Sequence, residues 1–353
     1  MKTTPTKGRG ATLQVEGRFE QVAREHFDDG WNTEEDLPPL KTTVTAEHAK
    51  SVIQRHDSPD LPFELSLNAY RGCEHGCIYC YARPSHGYLN LSPGLDFETK
   101  LFAKPDAAKL LRDELAKPAY RCSPISLGSN TDPYQPIERD WKITRQILEV
   151  LAECKHPLSI ITKSALVERD LDLLTQLARD NLALVMISIT TLDASLARKL
   201  EPRAASPQRR LQAMRRLNDA GVPCGVMVAP VIPFLTDAEL ETVLTAARDH
   251  GANTAGYTLL RLPYELKELF KDWLTTHYPL KAEHVMSRLR DMRGGRENDS
   301  AFGSRFRGEG EFAALLAQRF RMACAKLGLN RSAVTLNTES FRPPARGGQM
   351  GLF

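Results

Sequence analysis

Between Phe63 and Leu262 the hydrophobic positions follow two alternating rhythms. Short, nearly continuous apolar runs, of which Leu182–Ile189 (LALVMISI) is the clearest, read as strands covered on both faces. Leu65–Tyr70, Ile125–Gly128, Leu158–Thr162, Gly225–Pro230 and Thr254–Leu260 are the other strand candidates. Amphipathic stretches separate them: Asp106–Leu115, Trp141–Cys154, Leu166–Ala178, Pro207–Ala220 and Asp237–His250. In the fourth, Leu211, Met214 and Leu217 keep helical spacing, Gly221 stops the helix, and Pro223 opens the connection to the next strand. Six such βα units imply a parallel sheet with right-handed crossovers. The fold class expected is α/β. Two hundred residues suit a partly closed (β/α)6 barrel better than a full eight-stranded one, which takes about 250. Chemistry then collects at the C-terminal ends of the strands.

The flanks read differently. Residues 1–62, rich in Pro, Asp, Thr and Gly, predict an extended N-terminal wrap with little regular structure, and 63–262 form the barrel. Residues 263–340 predict helices over Tyr264–Tyr278, Ala282–Met292 and Glu311–Leu327, split by RGGRENDSAFGSRFRGEG. Residues 341–353 have the composition of a flexible tail. With 26% charged and 42% hydrophobic residues, the 353-residue chain has the balance of a water-soluble protein with a sizeable core. Its longest apolar runs fall far short of the roughly 18 residues of a membrane helix. The N-terminus lacks the apolar stretch of a secretory signal, so a cytoplasmic location is expected and no membrane. The net charge of +3 is uneven: residues 281–353 hold thirteen Lys/Arg against seven Asp/Glu, +6, leaving −3 for the rest. A basic end fits an anionic partner, and equally an ordinary solvated surface.

Seven cysteines, an odd number, argue against a disulfide framework. Three of them, Cys73, Cys77 and Cys80, form Cys-x3-Cys-x2-Cys after the first strand, in a loop punctuated by Gly72 and Gly76. Crowded thiolates repel unless a metal neutralises them. Structural zinc wants four protein ligands, and a fourth would have to come from His75, His86 or a distant cysteine. A [4Fe–4S] cluster held by three cysteines leaves one iron open to an outside ligand. Cluster, zinc knuckle and free thiols are the three readings the spacing allows.

The segment NAYRGCEHGCIYCYARPSH, with Tyr79 just before the last cysteine, resembles the radical S-adenosylmethionine (SAM) superfamily. Within it, RGCEHGCIYCYARP, TDPYQPIE and LEPRA are similar to bacterial proteins of a spore photoproduct lyase-like, or DNA-repair-photolyase-like, branch. The resemblance implies a [4Fe–4S] cluster on Cys73, Cys77 and Cys80, with SAM chelating the open iron. An external low-potential donor reduces the cluster, and SAM is cleaved to methionine and a 5′-deoxyadenosyl radical. Such a radical must be made beside its target and away from water, which gives residues 1–62 and 263–340 a role as cover.

By the same resemblance Tyr79 contacts adenine. Ser129, Asn130, Thr131 and Asp132, in LGSNTDPY, stand where strand two holds the SAM amino group, although the family's usual Gly-Gly-Glu-like form is absent. Lys163, in ITKS, is expected at the SAM carboxylate, with Arg203 of LEPRA as a bidentate candidate for the same group. Ser188 and Thr190 offer hydroxyls to the ribose or methionine end. Each also has a plain reading as a turn residue or a surface ion pair. Photoproduct lyase uses a cysteine as hydrogen donor, and neither Cys122, Cys154, Cys224 nor Cys324 has a matching context. The ending Gln349-Met350-Gly351-Leu352-Phe353 is similar to the peptide by which bacterial proteins enter the groove of the DNA sliding clamp, with Leu352 and Phe353 as anchors and Gln349 and Met350 beside them. The expected activity is radical SAM chemistry on DNA or RNA, of a lyase-like repair or modification type. A peptide or small-molecule substrate, and a zinc-binding interaction module, are the alternatives.

Overall fold

The structure is a computed structural model that describes residues 8–19, 41–332 and 334–344. The sliding-clamp motif at Gln349, Met350, Leu352 and Phe353 lies outside the described residues.

Ten strands run along the chain: β1 (Thr43–Ala46), β2 (Ile53–Arg55), β3 (Leu65–Leu67), β4 (Tyr70–Arg71), β5 (Lys100–Ala103), β6 (Ile125–Leu127), β7 (Leu158–Thr162), β8 (Ala183–Ser188), β9 (Cys224–Val231) and β10 (Thr254–Leu259). Seven form one sheet in the order β10-β9-β8-β7-β6-β3-β2. Every neighbouring pair from β3 to β10 is parallel, and only β2 joins antiparallel. The six predicted strands are therefore the six parallel ones, in chain order. Val185, Ile187, Val226 and Val228 are buried under helices, which is why these strands read as apolar runs. The edges β2 and β10 do not pair, so the barrel is partial.

Two elements of the wrap carry regular structure the apolar pattern does not announce. β2 extends the main sheet, and β1 builds a side sheet in the order β1-β5-β4. β1 reads TVTA and is largely exposed, so no hydrophobic run marks it. The first predicted strand is broken at Asn68, whose side-chain oxygen accepts from the Asn130 and Thr131 amides at 3.0 and 3.2 Å. Beyond that break the chain leaves the main sheet, and β4 pairs with β5.

The flank between the two edges is bridged by part of the Gly/Arg-rich segment. The Leu259 amide donates to the Phe306 carbonyl at 2.9 Å. A few residues earlier, the Gly303 amide and Arg305 Nε bind Asp60, just after β2, at 2.8 and 2.7 Å. Helices Leu266–His277, Ala282–Asp291 and Gly310–Leu327 complete the C-terminal region close to the predicted bounds. Among the described residues no helix is long and apolar enough to cross a membrane.

Candidate active site

The cysteine loop leaves β4 at the C-terminal end of the sheet and is held from beneath by one side chain. Arg83 is fully buried, and each of its five N–H groups has an acceptor. Nε donates to the Cys77 carbonyl at 2.8 Å, Nη1 to the Pro93 and Gly94 carbonyls, and Nη2 to the Gly76 carbonyl at 3.0 Å and to Glu98. Glu98, equally buried, also accepts from the amides of Gly10 and Ala11 at 2.9 and 2.8 Å. The N-terminal segment is thus fastened to the loop. A Cβ on Gly10 would stand 1.7 Å from the Gly76 carbonyl oxygen, so only glycine allows this approach.

On the β6 side, Gln135 accepts from the Glu74 amide at 3.0 Å and donates to the Gly72 carbonyl at 3.1 Å. Asp132 accepts from the Thr162 hydroxyl, the Lys163 amide and the Tyr134 amide at 2.7, 2.7 and 2.9 Å, and faces His75 Nδ1 at 3.3 Å. Burial alone would raise its pKa; His75 and these donors instead hold it at about 2. Its carboxylate is occupied in tying β6, β7 and the cysteine loop together. Tyr81, half exposed beside Cys80, donates its hydroxyl to the Ser129 carbonyl.

A second cluster lies behind Cys77. Tyr79, 6% exposed, donates to Glu201, and its oxygen lies 3.1 Å from Thr190 Oγ1. Thr190 donates to Glu201 at 2.7 Å. Arg210, fully buried, pairs with Glu201 and donates to the Ser188 carbonyl at 2.9 Å. Against the effect of burial, Arg210 and Lys163 hold Glu201 at about 2. The Lys163 ammonium stands 5.6 Å from the Tyr79 ring centre and acts electrostatically on Cys77, Cys80 and Glu201. Among the described residues its side chain makes no ion pair. Arg203 sits on the other side of the loop, donating its amide to the His75 carbonyl and facing Glu74 at 3.2 Å.

The structure therefore brings Tyr79, Lys163, Thr190 and the Ser188 backbone together, and sets Ser129, Asn130 and Asp132 around the β6 end. Sequence reasoning passed over Glu201, Arg210, Gln135 and Arg83. Three of these lie inside or beside the strings LEPRA, TDPYQPIE and CYARP, and their signal is a polar residue placed next to Pro or Gly in a loop that must be buried.

Cys73 and Cys77 are buried and Cys80 partly so. Burial, with repulsion from Asp132 and the neighbouring thiols, pushes the Cys73 thiol up; burial pushes Cys77 up to about 12 despite Lys163. Such thiols ionise when a metal is bound. Among the described residues no three His, Cys, Asp or Glu side chains converge on a position that holds a single ion. Three electrostatically coupled cysteines on one short loop fit a cluster in which each takes a different iron. The other four cysteines stand away from this end. Cys122 precedes β6, Cys154 precedes β7, Cys224 opens β9, and Cys324 lies 3.9 Å from Asn330, which binds the start of β10.

The Radical SAM superfamily model matches residues 67–247, the span from β3 through the helix that follows β9. The chain belongs to the Radical SAM superfamily. Its cofactors are accordingly a [4Fe–4S] cluster and SAM. An uncharacterized Mycobacterium tuberculosis protein is 39% identical over 234 residues, 66% of this chain and 68% of that one. An uncharacterized Methanocaldococcus jannaschii protein is 29% identical over 222 residues, covering 63% and 79%. The radical SAM fold is also that of spore photoproduct lyase complexed with dinucleoside spore photoproduct, with a TM-score of 0.60, 16% identity and 86% of each chain covered. A mutant of that lyase with bound AdoMet and the dinucleoside gives a TM-score of 0.58 at 16% identity, covering 81% of this chain and 80% of that one.

Proposed function

We propose that this radical SAM protein reductively cleaves SAM and acts on a nucleic acid, in repair- or modification-type chemistry of a lyase-like kind. When bound, the cluster and SAM supply a 5′-deoxyadenosyl radical that abstracts hydrogen from the substrate. The observation that carries the reading is the position of Lys163: an ammonium at the end of β7, beside two cluster cysteines and without an acid of its own. An unpaired cation there suits the carboxylate of SAM. Cys73, Cys77 and Cys80 hold the cluster, and Tyr79 lines the adenine side. Asn130 and Ser129 lie on the β6 loop toward the amino group, with Asp132 as the positioning residue that shapes that loop. Thr190 and Ser188 would serve the ribose and methionine end, and Arg203, which shapes the cysteine loop through Glu74, would be the second cation for the carboxylate.

Residues 63–262 form the reacting barrel, with 1–62 and 263–340 as its cover and 341–353 as a tail for a sliding-clamp groove. The electron comes from an external low-potential donor and the setting is cytoplasmic. Nucleic acid is favoured by the fold likeness to a lyase solved with a dinucleoside and by the basic C-terminal region. The remaining thiols, placed away from the mouth, argue against a cysteine-donor repair cycle.

Anaerobic reconstitution tests the reading. The expected result is a brown protein that forms 5′-deoxyadenosine from SAM under reductant, and loses both colour and turnover in Cys77→Ala. Deuterium transfer between labelled SAM and DNA or RNA, but not peptides or metabolites, is expected. A colourless protein with one tightly held zinc would overturn the cluster, and transfer to a peptide would overturn the substrate. For the tail, a labelled peptide of residues 341–353 titrated with sliding clamp should saturate.

A further inference from the structure

The described arginines closest to the cysteine loop are matched to acceptors, with one exception. Arg83 has five, and Arg210 has Glu201 and two carbonyls. Arg261, two residues past the end of β10, makes no hydrogen bond and no ion pair among the described residues. Its Nε is buried and unsatisfied. Its charge reaches the mouth, acting on Tyr81, which is 50% exposed and directly follows Cys80.

What surrounds Arg261 is mostly cationic. Arg305 and Arg293 are its near neighbours. Arg293 is 2% exposed and is held by carbonyls alone, those of Leu260 and Arg305 at 2.8 Å and of Ser304 at 3.4 Å. Asp60 is engaged by Arg305 at 2.7 Å, and Asp299 by the Ala301 amide, Ser304 and Arg296. Burial, then the charge of Arg305, lowers the Arg261 pKa. A guanidinium left without an anion among other guanidinium groups is costly unless a ligand brings the anion.

Aromatic rings are interleaved with these cations. Arg261 and Arg305 lie 4.9 and 4.8 Å from the Phe306 ring centre. Arg305 also lies 4.8 Å from that of Phe302, whose ring is 62% exposed. Cations tracking a backbone beside exposed rings on which bases stack are the means by which unpaired strands are bound.

We infer that Arg261 is the seat of a substrate phosphodiester at the barrel mouth, with Phe302 as a stacking platform for a neighbouring base of an unpaired strand. The inference rests on the nucleic-acid reading above and adds to it a position, an anion and a strand type. Arg261 is a binding residue, set one tyrosine away from the cysteine loop.

The test uses the reconstituted full chain and a fluorescein-labelled 12-nucleotide oligothymidine, with the duplex of the same length and a labelled acidic peptide as further probes. The unpaired strand should bind more tightly than either. Arg261→Gln should weaken it about tenfold, and lower the slope of log affinity against log salt by about 0.7, one phosphate contact. Phe302→Ala, at an exposed position where folding is not at stake, should weaken it about fivefold or more. Arg215→Gln, on the outer face of the helix Pro207–Asp219, should change neither affinity nor slope. Melting temperature and cluster absorbance check that Arg261→Gln is folded. If the wild type binds the strand and both mouth variants bind it equally well, this site is wrong and the nucleic-acid reading stands. If the wild type binds no oligonucleotide, both fall. Tighter binding of duplex overturns the unpaired strand, and tighter binding of the peptide overturns the phosphodiester.

Discussion

At the residue scale the strongest constraint is the buried pair Glu201–Arg210. Neither ion can reach water, and each is stabilised by the other and by Tyr79, Thr190 and the Ser188 carbonyl. Removing one partner leaves a charge stranded in the interior. Arg210→Met should therefore lower the unfolding free energy by about 3–5 kcal/mol, measured by urea denaturation. The double variant Glu201→Gln/Arg210→Met should recover much of the loss. A second residue gives a pH signature away from the cysteines. His156 is buried between the Tyr120 hydroxyl, 2.7 Å from Nε2, and the Pro157 carbonyl, and burial lowers its pKa to about 4. The unfolded chain binds this proton near pH 6.5 and the folded chain near 4. Its contribution is thus complete above about 6.5 and lost as pH falls toward 4, about 3 kcal/mol in all. Urea unfolding of the metal-free chain at pH 7 and 4.5 should show the loss, and His156→Asn should flatten it.

At the scale of elements, the N-terminal segment and the cysteine loop stand or fall together. Gly10→Ala forces a methyl into the Gly76 carbonyl and pulls the Gly10 and Ala11 amides off Glu98. We expect a lower cluster yield on reconstitution and several-fold faster bleaching in air, with wild-type behaviour for Leu280→Ala, at a position that is 91% exposed. How far such elements could be read from sequence depended on what they bury. β6 to β9 are largely covered on both faces, so hydrophobicity marked them almost to the residue, whereas the edge strand β10 is only partly buried along most of its length. The short helix Ala194–Leu200 was missed, although Asp193, accepting from the Ser195 and Leu196 amides, is an ordinary N-terminal cap. β1 and β2 expose most of their side chains and leave no periodicity to find. In the site, spacing singles out the cysteine loop, and the family resemblance, not the spacing, points to Lys163. Glu201 is marked only by its place beside Pro202, and Arg210 by nothing, because an ion pair formed by folding has no signature along the chain.

For the whole molecule, the partial barrel leaves a flank between β2 and β10 that the chain itself spans with residues 303–306. The bridge is anchored at Asp60, which holds both the Gly303 amide and Arg305. Asp60→Ala should free it. Trypsin should cut after Arg305 and Arg307 several-fold faster in that variant, while the melting temperature stays close to that of the wild type, since the hydrophobic core is untouched.

That arrangement bears on how a target is admitted. A sidewall fastened by a few polar contacts can be unlatched without disturbing the apolar interior, whereas a ring of strands closed by its own ladder cannot. The nucleic acid proposed as substrate could then be presented broadside, one internal unit turned toward the reacting end, with no terminus to thread.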